Sequence, residues 1–134
     1  VRKGGKPRDE LFAFFGPFLR HLFEAGAYKW TRMVTAEAER HPENAQLFYR
    51  CTIERITSSV EAYFQQLAAE NLFPSEQTRR AAEALVAVVL LGPMQRVLLL
   101  GPGAVNYQEN LEYGLDLVVN SHGRTEKKPT TPSS

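Results

Sequence analysis

Apolar residues recur along this chain at three- and four-residue spacing, the period of a helix that buries one face, and no stretch alternates with the period of a strand. The first such stripe is Leu11, Phe12, Phe15, Phe18, Leu19, Leu22 and Phe23, preceded by Asp9 and Glu10 where a helix N-terminus favours negative charge. Gly16-Pro17 predicts a kink in it and Gly26 its end. A second helix is expected from about Ala27 to Arg40, with Trp30, Met33, Val34 and Glu37 on one face. It stops at His41 because a residue before proline avoids the helical region, and Pro42 then opens a third helix. That helix reaches about Asn71 through Ala45, Phe48, Tyr49, Thr52, Ile56, Val60, Tyr63, Phe64 and Leu67. Ser75 is the expected N-cap of a fourth helix, interrupted at Gly92-Pro93 and resuming to Leu100. Gly101-Pro102-Gly103 turns the chain into a last helix, about Val105–Ser121. The expectation is an all-α bundle of about five to six helices.

The composition supports one domain: 134 residues, 43% of them apolar, are enough for a core. Residues 1–8 are basic and glycine-rich and read as a flexible lead-in, 9–122 as the folded domain, and 123–134, which lack apolar content, as a disordered tail. The net charge of +1 hides a segregation. Four of the 16 positive residues lie in 1–8 and three in 124–134, and the latter stretch holds one of the 15 negative residues. Residues 9–123 therefore carry nine against fourteen, a net charge of −5. Such a segment repels phosphate backbones and is a poor nucleic-acid surface. Cys51 is the only cysteine, which excludes an internal disulfide and fits a reducing cytoplasm. The start of the chain lacks the pattern of a signal peptide, and the longest apolar run, Ala84–Met94, falls short of the roughly 20 residues of a membrane span. No membrane partner is expected.

The usual catalytic patterns are missing. Gly101-Pro102-Gly103 lacks the rest of a phosphate loop, and there is no Gly-x-Ser-x-Gly elbow. His21, His41 and His122 lack metal-ligand spacing. Glu37 and His41 stand four apart on a helix and could share a metal, but an ion pair of Glu37 with a nearby arginine is the simpler reading. Cys51 reads as a small core residue. Neither an enzyme nor a cofactor is expected.

What remains is apolar and aromatic. Phe15, Phe18, Leu22, Trp30, Met33, Val34, Phe48, Tyr49 and Tyr63 fall on inward faces of the first three helices, with Glu37, Thr52 and Arg55 as polar members. Each alone is ordinary core; together they suit a small-molecule cavity between helices. The fourth helix is apolar on nearly every side and would need cover all round. The expected cover is a second copy of the chain, through Val86, Val89, Leu90 and Val97 with Leu111, Leu115 and Val118 of the last helix, giving a four-helix interface across a two-fold axis. A dimeric helical interaction module with no small-molecule ligand is the alternative.

The run from Arg32 through Met33, Val34 and Glu37 to Arg40-His41-Pro42-Glu43, followed by Leu47-Phe48-Tyr49, resembles the C-terminal domains of TetR-type transcriptional regulators. Glu70-Asn71-Leu72-Phe73 is similar too, with Asn71 where that family often has glycine. Arg80-Ala81-Ala82 and the leucine-rich helix up to Gly101 extend the likeness over about Asp9–His122. The resemblance implies a domain that binds a small, largely apolar effector and forms a homodimer, most simply in a repressor released from DNA by that effector. DNA would be read by an N-terminal helix-turn-helix head, for which nothing before Leu11 provides.

Overall fold

The computed structural model describes residues 5–120. Among the described residues the helical spacing becomes five helices and no strand. Helix α1 covers residues 7–24, α2 Tyr28–Ala36, α3 residues 42–69, α4 Ser75–Leu100 and α5 residues 107–120. The tail expected at 123–134 lies outside the described residues, as does the start of the lead-in.

Four of the helices contain a π turn, in which each hydrogen bond spans one residue more than in an α-helix. The turns are Arg20–Glu24 in α1, Arg50–Glu54 in α3, Ala87–Leu91 in α4 and Asp116–Asn120 in α5. Two of them lie beside the prolines where the sequence predicts a kink and an interruption. Helix α1 runs through Pro17, and its irregular turn follows three residues later. Helix α4 is disturbed by the π turn just before Gly92-Pro93 and resumes to Leu100 within one element. Proline has no N–H to give to the previous turn, and a local wide turn absorbs that loss.

The π turn in α4 has a price that α5 meets. The N–H of Gly92 bonds to the Ala87 carbonyl, one residue further back than in an α-helix. Val88 thereby loses that donor, and Pro93, next in line, has none. The Asn110 side-chain amide donates to the Val88 carbonyl instead, at 2.5 Å. One turn on, Gly114 sits so close that a Cβ there would lie 2.6 Å from a Val89 methyl. Asn110 and Gly114 thus dock α5 onto the irregular turn of α4.

Three helix ends follow local chemistry closely, and one expected cap does not form. Gly26 stops α1 with φ 89°. Helix α3 ends in a Schellman motif: Leu72 N–H bonds to the Leu67 carbonyl and Asn71 N–H to that of Ala68, at 2.9 and 3.0 Å. Asn71 has φ 62°, the left-handed conformation that glycine or asparagine adopts at least cost. The Asn106 side chain caps α5 by accepting from Glu109 N–H at 3.1 Å. Ser75 is the exception. Its hydroxyl turns to Glu76 and caps nothing, and a 3-10 turn over Ser75–Gln77 tightens the entry of α4.

The core sits where α4 is enclosed by its neighbours. Leu11, Phe15 and Leu19 of α1, Val60, Phe64 and Leu67 of α3, Leu85, Val86, Val89 and Val97 of α4, and Leu111 and Leu115 of α5 are all buried. Ala81 and Ala82 present little bulk where α3 and α4 run together, and Phe73 stacks on Phe64 at 4.4 Å between ring centres. Ion pairs tie the helices at the surface: Arg8 with Asp116 at 2.7 Å, and Arg79 with Glu54, Glu61 and Glu83 at 3.1–3.2 Å. Helix α4 is 26 residues long and, unlike the apolar run within it taken alone, is long and apolar enough for a membrane span by length and composition; 39% of its most apolar stretch is buried within the domain.

This burial corrects the expected dimer contact. Val86, Val89, Leu90, Val97, Leu111, Leu115 and Val118 are each at most 4% exposed within the single chain. They hold α4 and α5 to each other and to the other helices, so no surface of theirs is left for a second copy. Cys51, read as core, is exposed.

Candidate functional site

Helices α1, α2, α3 and α4 leave a hollow between them, partly open to solvent, with a volume of about 230 Å³. Each wall has a sequence origin. From α1 come Phe18, His21 and Leu22; from α2 and its approach, Ala27, Trp30 and Thr31; from α3, Phe48, Thr52, Ile53 and Ile56; from α4, Leu90, Leu91 and Met94. Three π turns converge here. His21-Leu22, Thr52-Ile53 and Leu90-Leu91 each lie in one of them. A wide turn cannot stack its side chains in the regular helical rows that interlock between neighbours. Three such turns facing one another explain why the helices do not close.

The lining is almost wholly hydrocarbon. Its side chains with polar atoms are His21, Trp30, Thr31 and Thr52, and the Thr52 hydroxyl donates to the Phe48 carbonyl at 2.6 Å. Carboxylates, lysines and arginines are missing from the lining. Trp30 stands at the mouth, 62% exposed, and Leu91 beside the opening is 39% exposed.

Of the residues expected to form a cavity, the structure gathers Phe18, Leu22, Trp30, Phe48 and Thr52 around this hollow. It places the others elsewhere. Phe15 is fully buried in the core. Met33 and Tyr49 are more than half exposed, and Val34 is half-buried outside the lining. Glu37 is on the surface, paired with Arg40 at 3.4 Å and 4.0 Å from His41. Arg55 is exposed. Tyr63 lies by the N-terminal half of α1, away from the hollow, where its hydroxyl donates to the Glu10 carboxylate. No group of acidic, histidine or cysteine side chains among the described residues could hold a metal.

Two supporting contacts were not legible in the sequence. The Arg32 guanidinium donates to the Leu98 carbonyl near the end of α4 at 3.4 Å and lies over the Tyr28 ring, so it braces α2 against α4. A cation suits this negative end of a helix. The Tyr107 hydroxyl donates to the Glu24 carboxylate while its ring stacks on Phe23, tying the start of α5 to the π turn that supplies His21 and Leu22. That carboxylate, together with burial, pushes the Tyr107 phenol above its usual range.

A bundle in which a short α2 passes through Arg40-His41-Pro42 into a long α3, with an apolar hollow behind that joint, is the architecture of a helical regulatory domain. The chain belongs to the TetR-type regulators, through the family described as AefR-like transcriptional repressor, C-terminal domain, which matches residues 9–116. No curated protein and no solved structure matches it.

Proposed function

We propose that this domain senses a small apolar effector in the hollow between α1 and α4 and pairs with a second copy of itself, within a repressor that the effector releases from DNA. The observation that carries this reading is the hydrocarbon-lined hollow of about 230 Å³ built from four helices of a TetR-type regulatory domain. It lies just below the roughly 300–1,000 Å³ of common ligand sites, which points to a small guest.

The role of α1 follows from its position. Phe18, His21 and Leu22 touch the hollow at one end of this helix, and its other end leads back toward the start of the domain. A guest that needs more room shifts α1, and any DNA-reading head joined ahead of it moves with it. The guest must bind the DNA-released form more tightly, since equal affinity shifts no equilibrium. Catalysis has no place in this reading, and a reducing cytoplasm is its natural setting.

The partner copy is assigned to a different face of the same helices that the sequence suggested. Ala84, Ala87, Leu91, Gln95 and Leu99 form an exposed stripe along α4 at three- and four-residue spacing, and Tyr113 and Leu117 of α5 are exposed as well. The stripe carries no charge, as the middle of a helical dimer contact requires.

The function is tested by thermal denaturation with a panel of small apolar compounds, for the native chain and for Thr31→Phe, which fills the hollow from α2. At least one compound is expected to raise the midpoint of the native chain and to leave that of the variant unmoved. Equal shifts in both proteins, or none in either, would remove the hollow from the account.

A further inference from the structure

We infer that a second hollow, between the N-terminal half of α1 and the middle of α3, binds an organic cation: a protonated amine carried on a short apolar or aromatic body. This site shares no lining residue with the hollow between α1 and α4, and it stands whether or not that one takes a guest.

The space comes first. It is partly open to solvent and measures about 420 Å³, within the roughly 300–1,000 Å³ of common ligand sites. Leu11 and Ala13 of α1 and Val60 of α3 supply hydrocarbon wall, and Phe14 adds a ring that is 46% exposed. Charge comes next. Among the described residues the lining holds one carboxylate, that of the half-buried Glu10, and neither lysine nor arginine. The Tyr63 hydroxyl, reaching over from α3, donates to that carboxylate. A carboxylate accepts at about four sites, so this bond orients the group without exhausting it. The exposed Ser59 adds a hydroxyl oxygen to the same wall as Tyr63. An ammonium group is all donor and suits such acceptors, and a ring face beside it attracts the same charge. An anion meets repulsion from Glu10, and a purely apolar guest would strip water from that carboxylate with no donor in exchange. Glu10 also suits the first turn of α1, where the helix dipole favours a negative charge. That role explains the charge but neither the hollow nor the tyrosine set against it.

The full chain is titrated with phenethylammonium, phenylacetate and methylammonium at about pH 7, where an alkylamine is protonated, following the heat of binding and amide chemical shifts. Phenethylammonium is expected to bind, with shifts at residues 10–14 and 59–63. Phenylacetate, of opposite charge, and methylammonium, which lacks the apolar body, should bind about tenfold more weakly. Glu10→Gln keeps the shape of the wall and removes its charge; Ser59→Phe keeps the charge and fills the space. Each should weaken phenethylammonium several-fold, whereas Thr31→Phe, in the hollow between α1 and α4, should leave it unchanged. Phenylacetate binding as tightly as phenethylammonium would overturn the cationic class. Methylammonium binding as tightly would reduce Glu10 to a surface charge and overturn the hollow as a site. Full affinity in Glu10→Gln or in Ser59→Phe would overturn it too. Loss in Thr31→Phe alone would move the guest to the hollow between α1 and α4. Binding of none of the three would reject the second site and leave the sensing role of the first untouched.

Discussion

Asn110 and Gly114 show how much of this fold hangs on single atoms. Replacing Asn110 by leucine strands the Val88 carbonyl between a redirected Gly92 N–H and a proline. An unsatisfied buried acceptor costs about 1–3 kcal/mol. Gly114→Ala forces a Cβ to within 2.6 Å of a Val89 methyl, and overpacking of this kind also costs about 1–3 kcal/mol. Both losses are measurable as shifts in urea midpoint, and an unchanged midpoint for either variant would show that α5 does not seat on the π turn of α4. Neither residue stands out in the sequence, because an asparagine and a glycine on a helix carry no sign of the partner they meet. Asn71 was more legible: an asparagine in place of glycine after a long helix already suggests a left-handed turn, and φ is 62° there. Trp30 and Phe48 were found as rings on one face, whereas Tyr49, adjacent to Phe48, could not share that face and is exposed.

At the scale of the helix, number and order were written in the apolar spacing, while the π turns within α3 and α4 were not. A π turn inserts one residue into the helix. In α3, Ile56 still lines the hollow and Val60, Phe64 and Leu67 still face the core beyond that turn, whereas Arg55 is exposed and Tyr63 meets Glu10. The contacts that fix these registers are partly ionic, so they respond to pH. The Arg79 guanidinium holds the Glu54 carboxyl below its usual range through hydrogen bonds. A depressed folded value means that this contribution is present above the ordinary carboxylate range and is lost as pH falls below about 4.5. Tyr107 behaves in the opposite sense. Its raised phenol makes the Glu24 contact fully effective below about pH 10 and lost as pH climbs further. Urea titrations across pH should show a smaller acid slope in Arg79→Met and a smaller alkaline slope in Tyr107→Phe. Slopes identical to those of the native chain would contradict these assignments. Since Arg79 and Glu54 are both more than one-third exposed, the acid effect should be modest and should shrink in salt.

For the whole molecule, the sequence offered greasy surface in excess of what a small chain hides, and the structure divides that surface into two parts. One face of α4 and α5 makes the core; the other, with Leu91, Leu99, Tyr113 and Leu117, is exposed. Periodicity alone could not distinguish them, because α4 is apolar on both. If the exposed face joins two copies, the double variant Tyr113→Glu with Leu117→Glu should be monomeric by light scattering yet keep its thermal midpoint in the single-chain sense, whereas Leu115→Glu should unfold. A native chain that scatters as a monomer would remove the dimer from the account. The central claim, that the hollow between α1 and α4 receives the effector, is tested most directly by mapping amide chemical-shift changes on titration with ethylbenzene. The account predicts that the changes cluster at residues 18–22, 27–31, 48–56 and 90–94. Changes centred instead on Glu10 and Tyr63, at the N-terminal half of α1, or confined to the exposed stripe of α4 and α5, would contradict it.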